Sequence, residues 1–423
     1  MPRRAFSLAA ALLLLASPAS PSAPAAAAAA APAPASDAPG YIVVLRDDAP
    51  DPGAVAARHG LKAGHAYGQT IKGFATQVAT GRLAELAADP QVSFVAEDTL
   101  LSFTGQTTPT GVERIRALQK RGDGSAVDAD VAILDTGIDP RHHDLNVAGG
   151  YDCTSKDRSA WADDTGHGTL MAGVVGAKDD RSGVVGVAPG ARLWAVKVGG
   201  PKGAKTSDLI CGLDWVAARS ATIKVASLSL SGPGADDGDC GRTRKDPLHR
   251  AICRATAAGV LSVVAAGNEG ADLAGSIPAA YGEVLTVTAM ADYNGRPGGG
   301  AAPTCRPGID DSAADFSNYT AIGSADTGHV IAGPGVCIDS TAMGGGYATV
   351  SGTSPATPHV AGTVARCLAA GPCRGLTPAQ MAGRLLTDAA QRPSSYGFAG
   401  DPNSPVTVAG QTRYYGRLVY AGG

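Results

Sequence analysis

From residue 131 onward the chain alternates short apolar runs with longer segments in which apolar residues recur every three or four positions. VAILDTG, ARLWAVKV, VASLSLSG, VLSVVAAGN and EVLTVTAM are short, largely apolar segments of strand length. SDLICGLDWVAARS and PLHRAICRATAAG, set between them, carry helical spacing, and two later helices are expected over 354–370 and 378–390. Strands and helices in alternation predict an α/β fold, a mostly parallel central sheet with helices on both faces. In such sheets functional groups gather at the carboxyl ends of the strands.

The preceding part of the chain reads differently. YIVVLRD, GFATQV and VSFVAED are strand-like, AVAARHG and RLAELAAD helix-like, and two βαβ-like turns fit a small α+β domain over 39–102. FTGQTTPTG, over 103–111, is polar and turn-rich with no apolar period, which predicts a linker that a protease can enter. The larger domain then spans 112–423. At the start, Arg3 and Arg4 precede an apolar run from Ala5 to Ala16 and then small residues, the signature of a secretory signal. That run is shorter than the roughly 20 residues a membrane-spanning helix needs. An Ala/Pro tract follows, so 1–38 reads as signal peptide and spacer, and the product as secreted and extracellular, without a membrane partner.

Composition narrows the partners further. Lys plus Arg total 35 against 38 Asp plus Glu, a formal charge of −3, which leaves no electrostatic footprint for nucleic acid. The chain shows no internal repeat and no heptad pattern; a monomer is expected. Glycine is abundant, at 57 residues, but lacks the every-third-residue period of collagen. The eight cysteines, an even number in an exported chain, point to disulfides. Eight cysteines allow 105 pairings. Sequential pairing is expected, with Cys367 and Cys373 closing a local loop, and no CxxC spacing suggests a zinc or redox site.

Four segments carry candidate chemistry. VAILDTGID ends an apolar strand with Asp135, DDTGHGTLMAG places His167 between glycines at a helix start, VVAAGNEG leaves Asn268 after another strand, and GTSPATPHVAG puts Ser354 in the first turn of a helix. Together they offer a hydroxyl nucleophile, an imidazole to take its proton, a carboxylate to fix the imidazole tautomer and an amide for an oxyanion, the parts of acyl transfer.

In this order the segments resemble those of the subtilisin-like serine proteases, the subtilases, of the secreted bacterial type with an inhibitor-type propeptide. The resemblance covers nearly the whole chain. It implies that Asp135 orients His167, that His167 acts as base and then acid, that Ser354 attacks a peptide carbonyl and that Asn268 stabilises the oxyanion, with no cofactor required for the chemistry. Residues 39–102 would be a propeptide that aids folding, inhibits the enzyme and is removed by it. Three positions depart from the family pattern. Pro355 stands where Met usually follows the serine, tolerable because the backbone oxyanion donor is that of the serine itself and proline fits a helix's first turn. Leu170 and Met171 replace a familiar His-Val, which reads as altered packing.

The resemblance also places a polypeptide substrate between Ser229, Leu230 and Ser231 on one flank and residues 199–205 on the other. The primary specificity pocket would be walled by residues 229–231, by Ala265, Ala266 and Gly267, and by the region of Ser276. None of these is charged, so broad specificity with an apolar preference on the acyl side is expected. Asp144 stands where the family often has a calcium carboxylate, and Asp179 and Asp180 lie in a nearby loop of suitable length, so Asp144 and Asp180 are candidate calcium ligands. His142 and His143, as neighbours, are expected to face different ways, and His359 to be a packed helix residue.

Other readings remain distinguishable. DTG recurs at Asp135, Asp164 and Asp326, and pepsin-like aspartic proteases need two copies, but only Asp135 follows an apolar strand. The Gly-x-Ser-x-Gly of α/β-hydrolases is missing. An inactive relative that binds peptides without cutting them is the non-enzymatic alternative.

Overall fold

The computed structural model describes residues 40–98, 106–117 and 125–422. The expected signal and spacer over 1–38, and the first part of the expected linker, lie outside the described residues. The chain divides into two compact units, Met1–Ser102 and Phe103–Gly423.

In the smaller unit β1 (Gly40–Leu45), α1 (Pro52–Arg58), β2 (His65–Tyr67), β3 (Gly73–Gln77), α2 (Leu83–Ala87) and β4 (Val92–Glu97) follow in order. The sheet order is β2-β3-β1-β4, with every adjacent pair antiparallel. The two βαβ turns are therefore split: each helix links strands of the same sense, and a third strand lies between them. Strand β1 alternates half-buried and buried positions, sending Val43 and Leu45 into a core with Val55, Phe74 and Leu86. Asp51 caps α1 through the Ala54 amide, and Pro52 occupies the first turn, where its missing N–H breaks no bond.

The larger unit is built on β5 (Asp130–Asp135), β6 (Val147–Asp152), β7 (Arg192–Lys197), β8 (Val225–Leu228), β9 (Leu261–Ala265), β10 (Leu285–Ala291), β11 (Val330–Pro334) and β12 (Arg417–Leu418). They pair in the order β12-β11-β10-β9-β8-β5-β7-β6, all parallel, and Ser312–Ala313 adds a short antiparallel strand beside β10. Successive residues of β5 serve opposite layers. Val131 and Ile133 join Met171, Val175, Val360 and Val364, while Ala132 and Leu134 join Leu209, Leu213 and Ile252. One layer thus holds α4 (His167–Gly176) and α7 (Thr353–Ala370), the other α5 (Thr206–Ala217) and α6 (Pro247–Ala257). The last helix, α8 (Pro378–Ala390), opens with a capping box between Thr377 and Gln380.

Four disulfides join cysteines in sequential order: Cys153–Cys211, Cys240–Cys253, Cys305–Cys337 and Cys367–Cys373. Among the described residues no helix is long and apolar enough to cross a membrane. Two local expectations change. From Gln106 the chain is bound into the larger unit rather than forming a linker: Thr107 pairs with the strand-like stretch at Val184, and a short helix runs over Thr110–Arg114. His142 and His143 do not diverge. Their rings stack 5.2 Å apart, and both meet the edge of Tyr347, which draws them to one side.

Candidate active site

Parallel pairing puts the carboxyl ends of β5, β8 and β9 on one edge of the sheet, and the candidate residues follow from there. Asp135 is the last residue of β5, Ser229 follows β8, and Asn268 lies three residues beyond β9. His167 and Ser354 sit in the first turns of α4 and α7, which pack together on one face.

Asp135 Oδ1 lies 2.7 Å from His167 Nδ1. The carboxylate is nearly buried, whereas the imidazole keeps 34 % of its side-chain surface exposed, so one edge of the ring is anchored and Nε2 is left for a ligand. Burial opposes charge on His167, but the hydrogen bond to Asp135 and the charges of Asp135 and Asp163 outweigh it and raise the pKa above the ordinary imidazole value. Close approach at this corner depends on glycine. A Cβ on Gly168 would sit 2.0 Å from the Gly137 carbonyl oxygen and 3.2 Å from the Asp135 Cβ.

Asp163 holds the start of α4 in place. Its Oδ1 accepts from Thr136 Oγ1 (2.8 Å), Gly166 N (2.9 Å) and Thr165 N (3.0 Å), and its Oδ2 from the Thr169 amide (2.9 Å) and hydroxyl (2.6 Å). Thr136 in turn accepts from Gly168 N. A buried carboxylate thus ties the strand bearing Asp135 to the helix bearing His167.

The Asn268 amide is oriented by α7. Its Oδ1 accepts from the Thr353 amide (2.8 Å) and hydroxyl (3.0 Å), which fixes the carbonyl end inward and turns Nδ2 outward on an exposed residue. Behind it, buried Asn318 donates to Ala266 O and accepts from the amides of Glu269 and Ala271, holding the loop rigid. The Ser354 hydroxyl donates to the Ser229 carbonyl (3.3 Å), and the Ser229 hydroxyl donates back to the Ser354 carbonyl (2.9 Å).

Ala265, Ala266, Gly267 and Ser276 are buried, and Leu230 and Ser231 run on from the sheet, half-buried and exposed respectively. Gly232 and Pro233 then pair antiparallel with Ile277 and Ser276, which joins the 229–231 segment to the Ser276 region. Glu269, which no motif in the sequence marks, folds its carboxylate back to Asn318 Nδ2 (2.8 Å) and against Gly267, adding an acidic group beside walls expected to be uncharged. The other DTG aspartates are committed elsewhere: Asp164 pairs with Lys197 (2.7 Å), and Asp326 accepts from Ser324 (2.8 Å).

Asp180 lies within the loop 178–184, and Asp144 holds both ends of that loop. Asp144 is buried, accepts from Val184 N (3.1 Å), Lys178 N (3.2 Å) and the Tyr347 hydroxyl, and has its pKa raised by that burial. The carbonyls of Lys178, Ser182 and Val184 converge on Gln106 Nε2 at 2.6, 3.1 and 3.2 Å. Three carbonyl oxygens around one point beside a buried carboxylate form an oxygen-rich donor set of the kind hard cations take. Gln106 escaped notice because it lies in turn-rich composition. His142 is spent on the Gly346 carbonyl and His143 on the Tyr347 hydroxyl; His359 is fully buried, bonded to Pro355 O, and burial lowers its pKa to about 4.

Replacing Asp163 with Asn removes one of the charges that raise the His167 pKa. An NMR titration of the His167 ring should give a pKa above the ordinary imidazole value in the wild type and a lower one in Asp163→Asn; equal values would show that Asp163 acts only as a structural cap.

A model of the subtilase family matches residues 128–416. Among curated proteins, an alkaline protease of Alkalihalobacillus alcalophilus is 38 % identical over 303 residues, 70 % of this chain and 69 % of its own. Subtilisin E of Bacillus subtilis strain 168 is 35 % identical over 338 residues, 79 % of this chain and 75 % of its own. A crystal structure of a cold adapted subtilisin-like serine proteinase aligns with a TM-score of 0.55 at 30 % identity, covering 74 % of this chain and 97 % of that one. With its parallel sheet and the cluster at the carboxyl edge, the chain belongs to the subtilase family, the subtilisin-like serine endopeptidases.

Proposed function

We propose that the chain is made as a secreted zymogen and cuts polypeptides through an acyl-enzyme formed on Ser354. The observation that carries this reading is the Asp135–His167 contact at Nδ1, combined with an Asn268 amide aimed outward beside Ser354. With Nδ1–H donated to Asp135, the neutral imidazole presents its lone pair at Nε2. The Ser354 hydroxyl leaves the Ser229 carbonyl, passes its proton to Nε2 and attacks the scissile carbonyl. Asn268 Nδ2 and the Ser354 amide then stabilise the oxyanion. His167 returns the proton to the leaving amine, and water completes the cycle by the same route. Because the base works only when neutral, kcat/KM rises with pH through the His167 pKa.

The substrate chain would lie along residues 229–231, with apolar side chains favoured on the acyl side by the alanine and glycine walls. The smaller unit would be the propeptide, acting as folding aid and inhibitor. Its removal would fall N-terminal to Gln106, since Gln106 and Thr107 are hydrogen-bonded into the larger unit and remain with it. Oxygen ligands from Asp144, Asp180 and the carbonyls of the 178–184 loop, with the Gln106 amide turned so that Oε1 replaces Nε2, would hold a calcium ion that braces this new N-terminus. Calcium would stabilise the fold and take no part in the chemistry.

The test is intact mass and azocasein hydrolysis for the secreted wild type beside Ser354→Ala. Wild type should begin at or before Gln106, without the smaller unit, and cut azocasein; Ser354→Ala should keep that unit and do neither. Equal maturation and activity in both would remove Ser354 as the nucleophile, and inactivity of both would favour a peptide-binding relative. Asn268→Ala should lower kcat by about 10² to 10³ with little change in KM, the loss known for the oxyanion-hole asparagine of subtilisin itself. Calcium should lengthen the half-life of the wild type on heating, and this protection should vanish in Asp144→Asn.

A further inference from the structure

A second cluster of ligand-type groups lies away from the catalytic residues, where the 234–246 segment meets α6. His249 is the third residue of α6, is 1 % exposed, and stacks on the Tyr281 ring at 4.1 Å with the planes 2° apart. Its Nε2 lies 2.8 Å from Glu283 Oε2. Its Nδ1 lies 3.2 Å from Asp237 Oδ1 and 3.4 Å from Asp236 Oδ1. Neither carboxylate is placed to accept a hydrogen bond from Nδ1, which is a buried nitrogen without a hydrogen-bond partner. Asp237 is fixed as a carboxylate by the amides of Gly241 (2.9 Å), Asp239 (3.0 Å) and Arg244 (3.0 Å).

These contacts leave an electrostatic conflict. With Nε2–H donated to Glu283, the lone pair on Nδ1 faces two carboxylate oxygens across little more than 3 Å. A protonated ring would need its Nδ1–H aimed at one of them, and it is aimed at neither. A cation between the three atoms removes the conflict. The spacing fits one: zinc bonds of about 2.0–2.2 Å in a tetrahedron put neighbouring ligand atoms about 3.3–3.5 Å apart. A carboxylate behind the distal nitrogen of a ligating imidazole is also the usual second support of such sites. The neighbouring Cys240 and Cys253 are bonded to each other, so the donors are nitrogen and oxygen only.

We propose that Asp236, Asp237 and His249 bind a divalent ion of the zinc class, with Glu283 orienting the imidazole and water as the fourth ligand. The ion closes the 236–246 loop onto α6. That loop continues from Gly232 and Pro233, which pair with Ile277 and Ser276, so the clip braces one wall of the proposed specificity pocket. The site does not depend on the catalytic reading.

The experiment uses the full-length Ser354→Ala chain to prevent self-digestion, with Zn²⁺ as the probe, calorimetry and metal content after dialysis as readouts, and hydrogen exchange over 234–246. One tight zinc per chain is expected, slowing exchange in that loop. Asp236→Ala, at a half-exposed position, should fold and lose that zinc; Glu283→Gln should weaken binding by about 10–100-fold. If zinc binds equally in Asp236→Ala, or not at all in the parent, or only after reduction of Cys240–Cys253, the proposal is overturned. His249→Gln serves as a further ligand deletion, and the result rests on Asp236→Ala if that buried change prevents folding.

Discussion

Asp163 is a carboxylate removed from water, and a buried ion of this kind is tolerable only where donors replace its hydration. Five do so here, from Thr136, Thr165, Gly166 and Thr169, and they come from both the end of β5 and the start of α4. The cost of burying the charge is offset only when strand and helix meet in one geometry. That geometry sets Asp135 against His167. The same charge favours the imidazolium, so one residue both positions the His167 ring and adjusts its proton affinity. On the other side, Thr353 plays the matching part for Asn268, coupling its side-chain amide to the first turn of the helix that carries Ser354.

The sequence revealed the four candidate residues because each sits where periodicity changes, at the end of an apolar strand or the opening of a helix. Their supports were hidden. Asp163, Thr136, Thr353 and Asn318 are polar residues in turn-like segments, and nothing local separates a buried polar group with five partners from a solvated one. Gln106 was hidden in the same way, since FTGQTTPTG has a linker's composition while its glutamine is gripped by carbonyls from residues 178–184. Among the strands, those with long β-branched runs were legible. Strand β6 contains two glycines, β11 ends in Gly-Pro, and β12 is two residues long, so their pairing follows from the neighbouring strands rather than from their own pattern.

Stabilisation beyond the core is distributed over segments that the sheet does not hold. Cys305–Cys337 ties the long excursion between β10 and β11 to the start of the hairpin that follows β11, and Cys240–Cys253 closes the 236–246 segment onto α6. Each limits local opening in a place where the backbone makes few ladder hydrogen bonds. For a peptidase surrounded by its own activity, such local opening is the exposure that matters, because cleavage acts on whichever segment unfolds first.

Among the described residues, the two proposed ion clusters obey the same logic with different donors. Around Gln106 the ligands of the proposed calcium ion would be carbonyl and carboxylate oxygens, which suit a large hard cation. Around His249 a rigid imidazole is clamped between Tyr281 and Glu283 and faces two carboxylates, which suits a smaller ion with directional bonds. The first lies beside the segment that becomes the N-terminus after the proposed processing, the second beside a wall of the proposed substrate cleft. Both are places where chain ends or long loops would otherwise open first, so ion binding there would act on the rate of unfolding more than on the arrangement of the catalytic groups.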